Sequence, residues 1–156
     1  AALEHREDAG HPCARQRVDR GLGLVRVLTM SEAPRAAGLP DWVMDVFAAV
    51  DAGDARRFAG FFTEDGAFRF GNAPPVVGRA AIEAAVAGFF GSIRSCRHRL
   101  LRFWEAGGRC AMDGEVTYLR LDGRELTLPF ANVFVLRDGR IAQYLVFVDL
   151  APLFAT

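Results

Sequence analysis

Lysine is absent from this 156-residue chain: all nineteen basic residues are arginine. No Schiff-base lysine and no phosphate-loop lysine is therefore available to it. Neither charge is in excess, because nineteen acidic residues balance the nineteen arginines. Without a global positive field, no nucleic-acid partner and no anionic membrane partner is expected. Cysteine is scarce, and Cys13, Cys96 and Cys110 follow no zinc-ligand spacing, so no metal site is expected. A long hydrophobic run is missing as well. Near the amino end Leu22 to Leu28 is interrupted by Gly23 and Arg26 and is too short for a membrane span or a signal peptide. The expectation is a soluble, cytoplasmic protein with reduced thiols.

What is present is the balance of a globular protein, 51% hydrophobic and 24% charged, at about the length of one domain. Residues 1–29 depart from it. They carry five arginines, four acids, and His5 and His11, with little apolar periodicity. They are expected to form a disordered extension outside the core, with the folded domain over residues 30–156. Met30 and the Ser31-Glu32-Ala33-Pro34 after it resemble an ordinary protein start. The remainder holds fourteen arginines and fifteen acids, so the domain itself is close to neutral.

From Asp41 the spacing turns helical, with Trp42, Val43, Val46, Phe47 and Val50 on one stripe. Gly53 stops this helix. Asp54 is placed to cap a second, short one bearing Phe58, Phe61 and Phe62. Phe68 and Phe70 alternate as on a brief strand, Gly71 to Pro75 must be a loop, and Arg79 to Ile93 reads as a third helix. The second half changes period. Four segments rich in Val, Leu, Phe and Tyr, at 96–105, 109–121, 125–137 and 140–150, are separated by Gly107-Gly108, Asp122-Gly123 and Asp138-Gly139. Such pairs favour tight hairpin turns, so the four strands should form an antiparallel meander. Helices gathered at the amino side then pack on one face of a curved sheet, an α+β fold. Asp113-Gly114 is expected to mark a bulge that bends the sheet.

This order of elements is similar to the nuclear transport factor 2-like superfamily. Phe61 to Gly66, Val77 to Ile82, Leu136 to Ile141 and Phe147-Val148-Asp149 resemble its SnoaL-like branch over roughly residues 40–154. The resemblance implies a cone-shaped α+β barrel, three helices packed in a curved antiparallel sheet around a pocket, and a homodimer. It implies no single chemistry, since the superfamily includes isomerases, dehydratases, cyclases, epoxide hydrolases and non-catalytic adaptors. A more distant resemblance is to the limonene-1,2-epoxide hydrolase family, carried by Arg120-Leu121-Asp122 and Asp149. Where that family places a water-holding Tyr and Asn, this chain has Phe68 and Phe70.

The candidate catalytic residues are Asp149, His98, Arg120 and Tyr118. Asp149 lies between Val148 and Leu150, where a carboxylate either takes a partner for proton transfer or simply caps the tail at Ala151-Pro152; the resemblance favours the first. His98 is the one histidine in the folded part and suits proton exchange, although Arg97 and Arg99 beside it are what a surface histidine would have. Tyr118 and Arg120 share a face, and an inward arginine would need an acid such as Asp149. Glu115 has the opposite parity, so one set or the other faces inward. Asn132 is either a pocket hydrogen-bonder or an edge residue. Phe68, Phe70, Trp104 and Phe147, as packing or as pocket lining, would favour a small apolar ligand. The expected function is a cofactor-independent isomerase, lyase or cyclase. The alternatives are a non-catalytic binding or dimerisation domain, and an epoxide hydrolase.

Overall fold

The computed structural model describes residues 38–155, so the expected extension over residues 1–29 lies outside the described residues. Helix α1 (Asp41–Asp51) buries Val43, Val46 and Phe47, with Trp42 and Val50 half-buried against the same core. Gly53, at φ 67°, turns the chain out of it. Asp54 caps α2 (Ala55–Gly60) by accepting from Arg57 N at 2.9 Å.

That helix stops at Gly60 instead of continuing through Phe62, which already belongs to β1 (Phe62–Phe70). The reason lies in the far end of the chain. Arg140 donates to Gly60 O at 2.8 Å and Ile141 N to Phe61 O at 3.0 Å, taking the carbonyls that a longer helix would use. After the proline loop a two-residue strand, β2 (Val76–Val77), pairs back onto Ala67 and Phe68. Helix α3 (Arg79–Phe90) buries Ile82 and Val86 and ends before Ile93, the first residue of β3 (Ile93–Ala106).

Strands β4 (Arg109–Arg120), β5 (Glu125–Arg137) and β6 (Arg140–Phe147) complete the meander, and a single turn, α4 (Ala151–Phe154), follows. Gly107 with Gly108 and Asp138 with Gly139 all have positive φ, which is what mirror-image hairpin turns require. The strand order is β2-β1-β6-β5-β4-β3. The sheet is unclosed and mixed rather than wholly antiparallel, because β1 lies parallel to β6. Between them the chain passes through α3 and four strands, β2 to β5, and a long crossover of this kind is what parallel neighbours need. Inward residues of the sheet and the buried sides of α1, α2 and α3 form one core cluster.

The bulge is real but sits on the other strand. Pairing between β4 and β5 is continuous through Asp113 and Gly114, whereas β3 carries an extra residue, Leu101, between Leu100↔Gly114 and Arg102↔Asp113. A Cβ on Gly114 would lie 2.4 Å from Arg99 O and 2.9 Å from the Phe130 ring, so only glycine admits this approach. The extra residue reverses side-chain parity along the second half of β3.

Candidate active site

The core encloses a cavity of about 190 Å³ whose walls are mostly aromatic and aliphatic, among them Phe47, Phe58, Phe68, Phe70, Phe89, Phe130 and Val146. Its mouth lies between the proline loop and α3, where the lining residues Ala73, Pro74 and Ala85 are exposed. Among the described residues four polar side chains line it: His98, Tyr118, Asn132 and Tyr144.

His98 is held by a residue the sequence reading did not single out. Asp51, at the end of α1, places Oδ1 2.6 Å from His98 Nδ1 and accepts from the His98 backbone N through Oδ2 at 3.1 Å. A carboxylate only accepts, so Nδ1 carries a proton, and in the neutral ring Nε2 is then the acceptor, the tautomer of a general base. The imidazole is 12% exposed and packs edge-on against Phe47 and Phe130. One sequence signal for Asp51 exists: an acid at a helix C-terminus opposes the helix dipole, which makes a role elsewhere the simpler explanation.

Cys96 joins this group, and the donor atoms of Asp51, Cys96 and His98 all lie within 4.8 Å of one another. These three are the side chains that could hold a metal here. To do so the cluster would have to give up the Asp51 bond to Nδ1 and the thiol proton. Burial, with the Asp51 carboxylate adding to it, pushes the Cys96 thiol up to about 12. Tyr118 faces the cavity beside Cys96, its partner across the β3–β4 pairing, and burial raises its hydroxyl well above the ordinary tyrosine range. It stays a hydrogen-bond donor. Asn132, 1% exposed, donates from Nδ2 to Tyr144 Oη at 2.9 Å, while its Oδ1 is buried without a partner among the described residues.

The other expected site residues lie elsewhere. Asp149 is exposed and accepts from Ala151 N at 3.0 Å at the start of the final turn, and His98 is paired with Asp51. Arg120 donates to Pro152 O and Ala155 O and meets Asp122 at 3.3 Å, so it anchors α4 and makes no pair with Asp149. Glu115 is on the outer face, bound to Arg99 at 2.6 Å, as the inward position of Tyr118 requires. Trp104 lies on the outer face under Arg102, because the Leu101 bulge has reversed its parity. Phe147 is 46% exposed with Arg69 over its ring. Phe68, Phe70 and Asn132 do line the cavity.

The family model of the SnoaL-like domain matches residues 43–144, the greater part of the chain. The chain belongs to the SnoaL-like family. Among solved structures, a nuclear transport factor 2-like protein of unknown function from Burkholderia pseudomallei shares 19% identity, covering 72% of this chain and 92% of that one, with a TM-score of 0.67. TerC, crystallised with polyporic acid, shares 19% identity over 72% and 92%, with a TM-score of 0.64. A candidate polyketide cyclase from Xanthomonas campestris shares 22% over 72% and 91%, with a TM-score of 0.60. At these identities the likeness establishes the SnoaL-like fold. No curated protein matches the sequence. Among the described residues no helix is long and apolar enough to cross a membrane.

Proposed function

We propose that this SnoaL-like domain is a cofactor-independent acid–base enzyme, an isomerase, lyase or cyclase, acting on a small, largely apolar carbonyl compound. The observation that carries the reading is the 2.6 Å bond from Asp51 to His98 in the wall of an aromatic-lined cavity. In this reading His98 Nε2 removes a proton from the carbon next to the carbonyl. The C–H electron pair moves into a C=C bond, and the carbonyl π pair moves onto oxygen to give an enolate. The imidazolium so formed is stabilised by Asp51, and Tyr118 donates a hydrogen bond to the enolate oxygen. Returning the proton to a different carbon completes an isomerisation. Delivering it to a departing β-hydroxyl completes a dehydration, and attack of the enolate carbon on a second carbonyl closes a ring, the π pair of that carbonyl moving onto its oxygen, which takes the proton back from His98.

Epoxide hydrolysis has less support, since Arg120, Asp122 and Asp149 do not line the cavity and Phe68 and Phe70 offer water nothing to bind. The test is exchange of the α-protons of β-tetralone in D2O, followed by proton NMR with the full chain. Exchange well above the buffer rate, abolished in His98→Gln, is the expected result. A rate equal to that of buffer, or one unchanged in His98→Gln, would overturn the reading in favour of a non-catalytic binding domain.

A further inference from the structure

His98 and Asn132 occupy different parts of the cavity wall, and the Tyr118 hydroxyl lies near enough to Tyr144 to raise the pKa of its hydroxyl. His98 stands opposite Val116 on β4, while Asn132 stands opposite Met112, four residues further along the same strand. At roughly 3.3 Å per residue that is about 13 Å of strand. Between them runs an aromatic wall. Phe130, the inward residue before Asn132 on β5, has its ring 5.4 Å from His98 and 6.0 Å from Phe47. A carboxamide is neither a general acid nor a general base, so no proton-transfer role falls on Asn132, yet its Oδ1 is a buried acceptor with no partner among the described residues. Leaving such a group unsatisfied is unfavourable, and a ligand donor would recover that cost. The amide is also held in place, since Nδ2 is tied to Tyr144.

Volume sets the other bound. An apolar cavity of about 150 Å³ accommodates benzene. At about 190 Å³ this one holds one substituted ring or two fused rings within its walls. We propose that Asn132 is a specificity-determining residue that accepts a hydrogen bond from a ring hydroxyl, so that the ligand is a compact one- or two-ring compound with a hydroxyl at the end remote from its reacting carbonyl. The placing of the carbonyl at the His98 end rests on the acid–base reading above; the hydroxyl subsite stands on Asn132 and the cavity alone.

The test compares three ligands on the unaltered protein, β-tetralone and its 6-hydroxy and 6-methoxy derivatives, by calorimetric binding and by α-proton exchange. A site built to bind a hydroxyl discriminates strongly against analogues lacking the donor. The 6-hydroxy compound is expected to bind at least about tenfold more tightly than the 6-methoxy compound, falling to within about twofold in Asn132→Leu. Equal binding of the two by the unaltered protein, or a preference that persists in a folded Asn132→Leu, overturns the proposal. The two readings fail separately. Selective binding with no exchange of any ketone supports the hydroxyl subsite and removes the acid–base chemistry, whereas exchange without selectivity does the reverse.

Discussion

Asp51 grips His98 twice, through the ring at 2.6 Å and through the backbone at 3.1 Å, although 47 residues separate them in the chain. The backbone contact fixes where β3 meets the end of α1, and the ring contact fixes which nitrogen carries the proton. One carboxylate therefore sets both position and tautomer. Asp51→Asn separates these tasks. The amide can still accept a hydrogen bond, but it can also turn its NH2 toward Nδ1 and leave the ring proton on Nε2, where base catalysis is blocked. The expected outcome is a loss of about two to four orders of magnitude in kcat for β-tetralone exchange, with KM changed by less than about threefold. His98→Gln should match it, and the double variant should be no worse than the worse single one, since the pair acts as a unit.

Gly114 supports the same site from behind. With Arg99 O 2.4 Å from where a Cβ would stand, and the Phe130 ring at 2.9 Å, Gly114→Ala forces β3 and β4 apart at the bulge. Overpacking of this kind costs about 1–3 kcal/mol or more. A urea titration should show a correspondingly lower midpoint with an unchanged slope, and, because Phe130 flanks His98, exchange activity should fall as well.

Alkaline pH should destabilise the fold in a defined window. Burial raises the Cys96 thiol from 9.0 to about 12 and the Cys110 thiol to about 11, and it raises the Tyr118 and Tyr144 hydroxyls too. The folded chain thus holds protons that the unfolded chain releases first, and stability falls wherever the folded state binds more protons. Below about pH 8.5 the contribution is fully present; from about 9 to 12 it is progressively lost. Tm measured across this range should be flat and then decline, and Cys96→Ala should make the decline shallower.

Asp149 separates two accounts of the site. Its one hydrogen bond holds the start of α4, with Arg120 tying down the carbonyls of Pro152 and Ala155. Asp149→Ala should lower stability by about 0.5–1 kcal/mol, as for loss of a cap, and leave exchange within about twofold of the unaltered protein. A loss of activity comparable to that of His98→Gln would return Asp149 to the chemistry.

Local chemistry made most of the fold readable in the sequence. Helical spacing in 42–50, the cap at Asp54 and the turns at Gly107-Gly108 and Asp138-Gly139 depend on neighbours a few residues away, and they are found in the structure; at Asp122-Gly123 only the glycine has positive φ, in a wider loop from Leu121 to Arg124. The site depended on contacts that no local pattern records. Asp51 reads as a solvated helix end until β3 is laid against it. The Asp113-Gly114 pair marked the right place for an irregularity, but Gly114 makes room for an extra residue on the neighbouring strand, and that turned Trp104 outward. Strict alternation did hold on β4, which is why Tyr118 faces in and Glu115 out. The parallel β1–β6 pair followed from a crossover that hairpin signals cannot report.

Access to the cavity offers a last test that leaves the polar groups untouched. Ala85 lines the mouth yet is exposed, so its methyl group contributes little to the core. Alanine and tryptophan both tolerate an exposed helix position, and surface changes of this kind shift stability by no more than about 0.5 kcal/mol. Ala85→Trp should therefore melt like the unaltered protein while placing an indole across the entrance beside Pro74 and Phe89. If ligands enter between the proline loop and α3, the association and dissociation rates of β-tetralone should both fall by about tenfold or more. The exchange rate at saturation should fall far less, because Asp51, His98 and Tyr118 are unchanged. Unaltered binding rates in a stably folded Ala85→Trp would mean that ligand reaches His98 by another route.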